Sequence, residues 1–167
     1  PAAPDGSMSG GPQLILTPHA GEAARLLDTP VADVNADPLA AARRLSERSG
    51  ATVVLKGPTT VIAAPDGRLA VSTRGHPGMA SGGTGDVLAG LIGALAATRD
   101  TRSDTQVTTT AGEGPSAGDP FESACLAVYV HGVAGERAAR LHGASLLASD
   151  LVDQIAGVLV DLADGGW

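Results

Sequence analysis

Short apolar runs alternate with longer amphipathic stretches along this chain. Residues 13–16 (QLIL) form a compact apolar run that stops at Thr17-Pro18, as a buried strand does. Residues 20–27 (AGEAARLL) have helical character, with Glu22 in the first turn, where the helix dipole favours an anion. Asp37-Pro38 reads as an N-cap followed by proline at the first helical position. That helix runs through LAAARRLSERS to Gly50, a natural C-terminal residue. Two β-branched runs follow, ATVVLKG (51–57) and TTVIAA (59–64). The Pro65-Asp66-Gly67 turn joins the second to RLAVST (68–73) as a hairpin.

Residues 75–86 (GHPGMASGGTGD) form a glycine-rich loop that opens into a helical stretch, VLAGLIGALAATR. Residues 100–119 are polar and without periodicity, as in a mobile surface loop. Asp119-Pro120-x-Glu122 starts another helix, FESACLAVYVHGVAGERAARL, with an acid placed as in a capping box. Ser149-Asp150 starts the last one, LVDQIAGVLVDLA. Strands alternating with helices predict a layered α/β domain over residues 13–167. Residues 1–12 (PAAPDGSMSGGP) read as flexible linker. About four strands are present, fewer than an open α/β sheet usually has.

Composition narrows the possibilities. The chain has 30 Ala and 23 Gly but three aromatics, Phe121, Tyr129 and Trp167. Leu, Ile, Val and Phe total 37 of 167 residues, just above the roughly 20% below which a highly charged chain reads as disordered. Much of the glycine sits in the 75–86 loop and the 100–119 segment, so the core-forming stretches are richer in apolar residues than the average. No uninterrupted apolar run reaches the roughly 18 residues of a membrane span, and no basic n-region precedes an apolar segment. The net charge is −7, and ten of the 11 basic residues are Arg, without a cluster beyond Arg43-Arg44. Nucleic acid is thus not the expected partner. The single cysteine, Cys125, excludes an internal disulfide framework and a multi-cysteine zinc site. A free thiol fits a reducing cytoplasm.

Three places carry candidate chemistry. In Gly82-Gly83-Thr84-Gly85-Asp86 the glycines allow close backbone approach to a ligand, and the open amides of a helix start attract an anion. Asp86 would repel phosphate in a pure cradle but suits a general base acting on a hydroxyl beside the phosphate. The plainer alternative is an acid that stabilises a helix start. No Walker A motif and no G-x-G-x-x-G is present. Lys56, the chain's only lysine, ends an apolar strand, where α/β sheets place ligands; it is either a phosphate ligand or a solvated strand end. His19, in Thr17-Pro18-His19-Ala20-Gly21-Glu22, also follows a strand and enters a helix, and could contact a polar ligand or serve structure alone. His131 and His142 lack the partners of a metal site and read as core or surface histidines. Cys125 reads as a buried inert thiol, and His76 as loop lining.

Together these motifs resemble a known family. TPHAGE, VVLKGPTTVI, GHPGMASGGTGDVLAGLIGAL, PFESACLAVYVHGVAGE and LLASDL look like the C-terminal part of ADP-dependent NAD(P)H-hydrate dehydratase. The resemblance covers Leu14 to Leu162 apart from 100–119. It implies a ribokinase-like fold, with a central, mostly parallel sheet flanked by helices. It also implies dehydration of the S-epimer of hydrated NADH or NADPH, with ADP or ATP consumed. The hydroxyl is phosphorylated, phosphate is eliminated, and ADP becomes AMP.

Carried over motif by motif, Asp86 falls on the catalytic base and on a contact to the hydrated nicotinamide. His19 falls on a substrate-binding position. Lys56, Gly57, Pro58, Thr59, Thr60 and Gly85 fall on nucleotide-binding positions. Mg2+ is implied with the nucleotide, although no dedicated metal ligand is visible. The resemblance further implies a cytoplasmic homotetramer and an NAD(P)H-hydrate epimerase as partner, often fused. In the family the domain begins before the position of Pro1, so the N-terminal part of the fold, with early strands of the sheet, is expected to be missing here. A non-catalytic nucleotide-binding fragment is therefore one alternative, and a ribokinase-like small-molecule kinase is the other. Residues 100–119 read as an insertion, and Glu136 stands where an Asp is more usual.

Overall fold

The TVVL run becomes β2 (Thr52–Leu55), and every residue of it is buried. A strand that reads as one continuous apolar run is covered on both faces. The computed structural model describes residues 13–101 and 119–165, and it places a separate core on each side of β2. β1 (Ile15–Leu16) runs parallel to β2, with Ile15 opposite Thr52 and Leu16 opposite Val53. β3 (Thr60–Ala63) and β4 (Leu69–Ser72) add antiparallel, in the order β1-β2-β3-β4.

The described sheet is therefore mixed, and the parallel pairing expected of it is confined to β1 and β2. Connection length explains this. Four residues join β2 to β3 and five join β3 to β4, and links that short close only antiparallel pairs. Between β1 and β2 the chain instead passes through α1 (Ala20–Leu27), α2 (Val31–Ala36) and α3 (Pro38–Ser49). In the hairpin, Gly67 takes φ +91°, and the Ala64 N–H bonds the Arg68 carbonyl at 3.0 Å.

Alternation along β2 and β3 divides the cores. Val53, Leu55, Val61 and Ala63 pack with α1, α2 and α3, whereas Val54 and Ile62 pack with the later helices. The register agrees, pairing Val53 with Ala63, Val54 with Ile62 and Leu55 with Val61. The later helices are α4 (Thr84–Thr101), α5 (Pro120–His142) and α6 (Ala148–Ala163). α5 touches the sheet, α4 and α6, and Ala124, Ala127, Ala134 and Ala138 on it are fully buried. Small side chains let these neighbours approach closely, so part of the chain's alanine lies here.

The helices at 20–27 and 38–49, the hairpin and the last three helices follow the sequence pattern. α2 does not: Val34 is its one buried residue, too few for a periodic signal. Within the glycine loop, Pro77–Ala80 forms a turn of 3-10 helix. α4 extends to Thr101 and Asp119 caps α5, so both ends of the expected 100–119 loop belong to helices. The rest of that loop, and the expected linker at 1–12, lie outside the described residues. Among the described residues, no helix is long and apolar enough to cross a membrane.

Candidate functional site

The parallel ladder carries His19 and Lys56 to adjacent positions. Beyond β1 the pairing resumes as a bridge between them, and the Lys56 N–H bonds the Pro18 carbonyl at 2.8 Å. Both residues thus stand at the carboxyl ends of neighbouring parallel strands, where open α/β sheets hold ligands.

His19 is the N-cap of α1. Its Nδ1 accepts the Gly21 and Glu22 N–H groups at 3.1 and 3.3 Å, and Glu22 Oε2 accepts the His19 N–H at 2.8 Å. This reciprocal cap explains the spacing of TPHAGE and fixes the ring. With Nδ1 accepting, the proton of the neutral ring sits on Nε2, which is 3.5 Å from Glu22 Oε1 and open to solvent. The Glu22 carboxyl is held below its ordinary value. The His19 N–H is the main cause, and the charges of His19, Lys56 and Arg25 act in the same direction.

Lys56 continues the alternation of β2. Leu55 faces the α1–α3 core and Val54 the other one, so Lys56 belongs on the side of α4. There its ammonium lies over Gly85: a Cβ on that glycine would stand 3.2 Å from Nζ. Gly57, Pro58 and Thr59 form the tight bend after Lys56, and Thr60 begins β3. Gly57 is backed by the Thr59 carbonyl, 3.3 Å from where a Cβ would sit.

The start of α4 completes the arrangement. Gly83 takes φ +89°, which favours glycine. The N–H groups of Asp86 and Val87 both turn back to the Gly83 carbonyl at 3.1 Å. No acceptor is present for the Thr84 and Gly85 amides among the described residues, as at the open first turn of a helix. Thr84 is buried, and its hydroxyl donates to the carbonyls of Met79 and Ser81, at 2.7 and 3.0 Å. Asp86 is exposed in the first turn. Open amides and a lysine ammonium therefore meet at one helix start, and an exposed carboxylate, Asp86, stands in its first turn. Such a set can hold an anion and take a proton beside it. The eight residues singled out by sequence are contiguous: His19 pairs with Lys56, Lys56 covers Gly85, and Asp86 follows.

The roles of two residues of α5 were not legible in the sequence. Glu136 accepts the Gly75 N–H at 3.0 Å and pairs with Arg74 at 3.3 Å, clamping the glycine loop. His131, which the sequence left as a core or surface histidine, bonds the Thr84 carbonyl through Nε2 at 2.9 Å. Burial pushes its ring below the ordinary value and the nearby Lys56 charge adds to this, against the bond to Thr84. Between these two residues, Gly132 and Gly135 seat the loop. A Cβ on Gly132 would stand 2.6 Å from Arg74 Cβ, and one on Gly135 would stand 2.1 Å from Met79 Sδ. The sequence signal was HGVAGE, whose small residues three apart mark a closely approached helix face.

A separate cleft of about 310 Å³ is lined by Arg74, Tyr129, Arg137, Arg140 and Asp161, among others, and by none of the eight site residues. There Arg74 pairs with Glu136 and Arg137 with Asp161. His76 caps the 3-10 turn, its Nδ1 accepting the Gly78 N–H at 3.1 Å. His142 reaches Asp150 at 4.0 Å. Among the described residues no group of three or more His, Cys, Asp or Glu side chains could hold a metal ion. The described residues thus do not fit a magnesium ion bound by protein ligands alone.

Comparison with known proteins gives a consistent result. The sequence pattern of NAD(P)H-hydrate dehydratase matches residues 8–156. A bifunctional NAD(P)H-hydrate repair enzyme of Moorella thermoacetica is 41% identical over 152 residues, which is 90% of this chain and 25% of that protein. An ADP-dependent (S)-NAD(P)H-hydrate dehydratase of Neisseria meningitidis is 43% identical over 153 residues, covering 91% of this chain and 40% of that protein. Among solved structures, the ADP/ATP-dependent NAD(P)H-hydrate dehydratase of Bacillus subtilis, co-crystallised with ATP and Mg2+, superposes with a TM-score of 0.73 at 32% identity. That match covers 88% of this chain and 47% of the other. A ribokinase-like superfamily protein of Enterococcus faecalis superposes with a TM-score of 0.63 at 29% identity, covering 86% of this chain and 43% of the other. The chain thus spans between a quarter and half of the length of these proteins.

Proposed function

The chain belongs to the NAD(P)H-hydrate dehydratase family, and on that premise we propose that it takes part in the nucleotide-dependent dehydration of the S-epimer of hydrated NADH and NADPH. ADP is the co-substrate of this reading, and AMP, phosphate and the restored NAD(P)H are the products. The observation that carries it is the Lys56 ammonium over Gly85 at an open helix start, with Asp86 next in the chain.

In this reading the β-phosphate of ADP lies on the Thr84 and Gly85 amides and the Lys56 ammonium, which offset its charge as it moves. The turn from Gly57 to Thr60 lines the nucleotide. His19, its ring fixed by the α1 cap, offers Nε2–H to the hydrated nicotinamide. Asp86 takes the proton of the ring hydroxyl as that oxygen attacks the β-phosphorus, and AMP departs. The phosphorylated oxygen then leaves with the new phosphate. The neighbouring ring carbon gives its proton to solvent, and the carbon–carbon double bond of the reduced nicotinamide returns. Mg2+ would ride on the nucleotide oxygens, as it commonly does.

The same reading makes the protein a cytoplasmic homotetramer that works beside an NAD(P)H-hydrate epimerase. The bifunctional relative supports a second, coupled activity.

The test is incubation of the protein with hydrated NADH and ADP. Reduced-nicotinamide absorbance should rise one for one with AMP. A stable phosphorylated product with no rise would instead indicate a kinase. Asp86→Asn should fold and bind ADP yet lose nearly all turnover, by a factor of about 100 or more; full activity would remove Asp86 as base. Lys56→Ala should weaken ADP binding by about tenfold or more, and an unchanged affinity would remove its role.

A further inference from the structure

His131 has no part in the chemistry proposed above, yet it is tied to the residues that do. It comes from α5, the helix packed between the sheet, α4 and α6, and its ring reaches the first turn of α4. A carbonyl can only accept, so Nε2 carries the proton and donates to Thr84 O. The first turn of a helix is its least held part, and here the Thr84 and Gly85 amides are left open. The Thr84 hydroxyl secures the turn from the loop side. The His131 bond secures it from the α5 side.

We propose that His131 is a positioning residue: its Nε2–H on the Thr84 carbonyl fixes the first turn of α4, and with it the direction of the Gly85 amide and the Asp86 carboxylate relative to the Lys56 ammonium. The choice of histidine has a physical reason. A lysine or arginine would also donate, but would set a permanent cation beside Lys56. A half-buried imidazole donates without a permanent charge, since burial and the Lys56 charge push its ring below the ordinary value and so disfavour the cation. A misplacement of about 1 Å at a reacting group costs on the order of a hundredfold in rate, so a bond that sets this turn acts on catalysis more than on binding.

The inference rests on the dehydratase reading, and its test separates the two. His131→Gln keeps a neutral donor near the position of Nε2. His131→Leu, or His131→Met should Leu not fold, removes the donor and keeps the bulk. The apolar variant is expected to lower kcat by about 10- to 100-fold with a smaller rise in KM for ADP, because Lys56 and the 57–60 turn still hold the nucleotide while the Gly85 amide shifts. The Gln variant should recover most of the rate. Amide hydrogen exchange gives a readout independent of activity: Asp86 and Val87, whose N–H groups bond the Gly83 carbonyl, should exchange faster in the apolar variant and near the parent rate in Gln. Equal behaviour of the Gln and apolar variants in exchange would overturn the proposal. If the parent protein forms no NADH at all, the dehydratase reading falls, and the exchange comparison still decides whether His131 holds the turn.

Discussion

Gly132→Ala sets two effects of known size against each other. In a helix interior, exchanging glycine for alanine favours the helix by about 1 kcal/mol. At Gly132 the new Cβ would stand 2.6 Å from Arg74 Cβ and 3.0 Å from the Arg74 backbone carbon and oxygen. Comfortable carbon contacts lie near 3.5–4.0 Å, so the loop must retreat by about 1 Å. It cannot do so freely, because Glu136 holds both the Gly75 N–H and the Arg74 guanidinium. Overpacking of this kind costs about 1–3 kcal/mol. The net expectation is a destabilisation of about 1 kcal/mol, or roughly 2–4 °C in Tm for a chain of this size. Gly90→Ala in α4 is the matched control, since nothing lies within 4 Å of its Cβ position; it should gain about 1 kcal/mol. Thermal unfolding of the two variants beside the parent therefore gives shifts of opposite sign. Equal stabilisation by both would refute the reading of Gly132 as the seat of the loop.

Two further outcomes follow from the entry to α5. Asp119 caps this helix through the Phe121 N–H at 2.8 Å and accepts from Arg68 at 2.6 Å, while the Arg68 guanidinium stacks on the Phe121 ring at 4.7 Å. Burial pushes the Asp119 carboxyl up, but the Arg68 and Phe121 bonds and the Arg68 charge outweigh it and leave it below its ordinary value. A depressed carboxyl contributes stability above its unfolded value of about 4, and that contribution is lost as pH falls through the folded one. Asp119→Asn should thus cost about 1 kcal/mol at pH 7, a figure held down by the partial exposure of Arg68, and should flatten the acid limb of urea midpoint against pH; an unchanged limb would exclude Asp119 from it. Burial, aided by Glu122, pushes the half-buried Cys125 thiol up to about 11. At pH 8 its thiolate fraction is then on the order of one in a thousand, so iodoacetamide should label it slowly in the native protein and rapidly in urea; equal rates would contradict its burial.

What the sequence revealed and what it hid follow from the range of each interaction. Caps, turns and periodic runs are local, so the helices at 20–27 and 38–49 and the hairpin were readable from a few neighbouring residues. The eight candidate residues come together for a related reason: each lies at the end or start of a strand or at a helix start, and those junctions leave marks in TPHAGE, LKGPTT and GGTGD. α2 left no such mark because it buries a single side chain. His131 and Glu136 act on residues 47 and 61 positions away. The Thr84 carbonyl and the Gly75 N–H that they bond are backbone groups, which carry no sequence identity to match. The antiparallel pairing of β2 with β3 was hidden for a different reason, since the run of apolar residues in β2 looks the same whether its neighbour is parallel or antiparallel.

The division of β2 between two cores makes the placement of Lys56 a matter of parity. Val53 and Leu55 belong to one side and Val54 to the other, so the lysine's side is counted off from residues held by packing. A single-residue insertion between Thr52 and Leu55 would carry the only ammonium side chain across the sheet, away from α4, while leaving every motif intact to the eye. Changes of two residues would preserve the side and alter only the reach. The hydrophobic strand thus works as a counting device for the charge at its end.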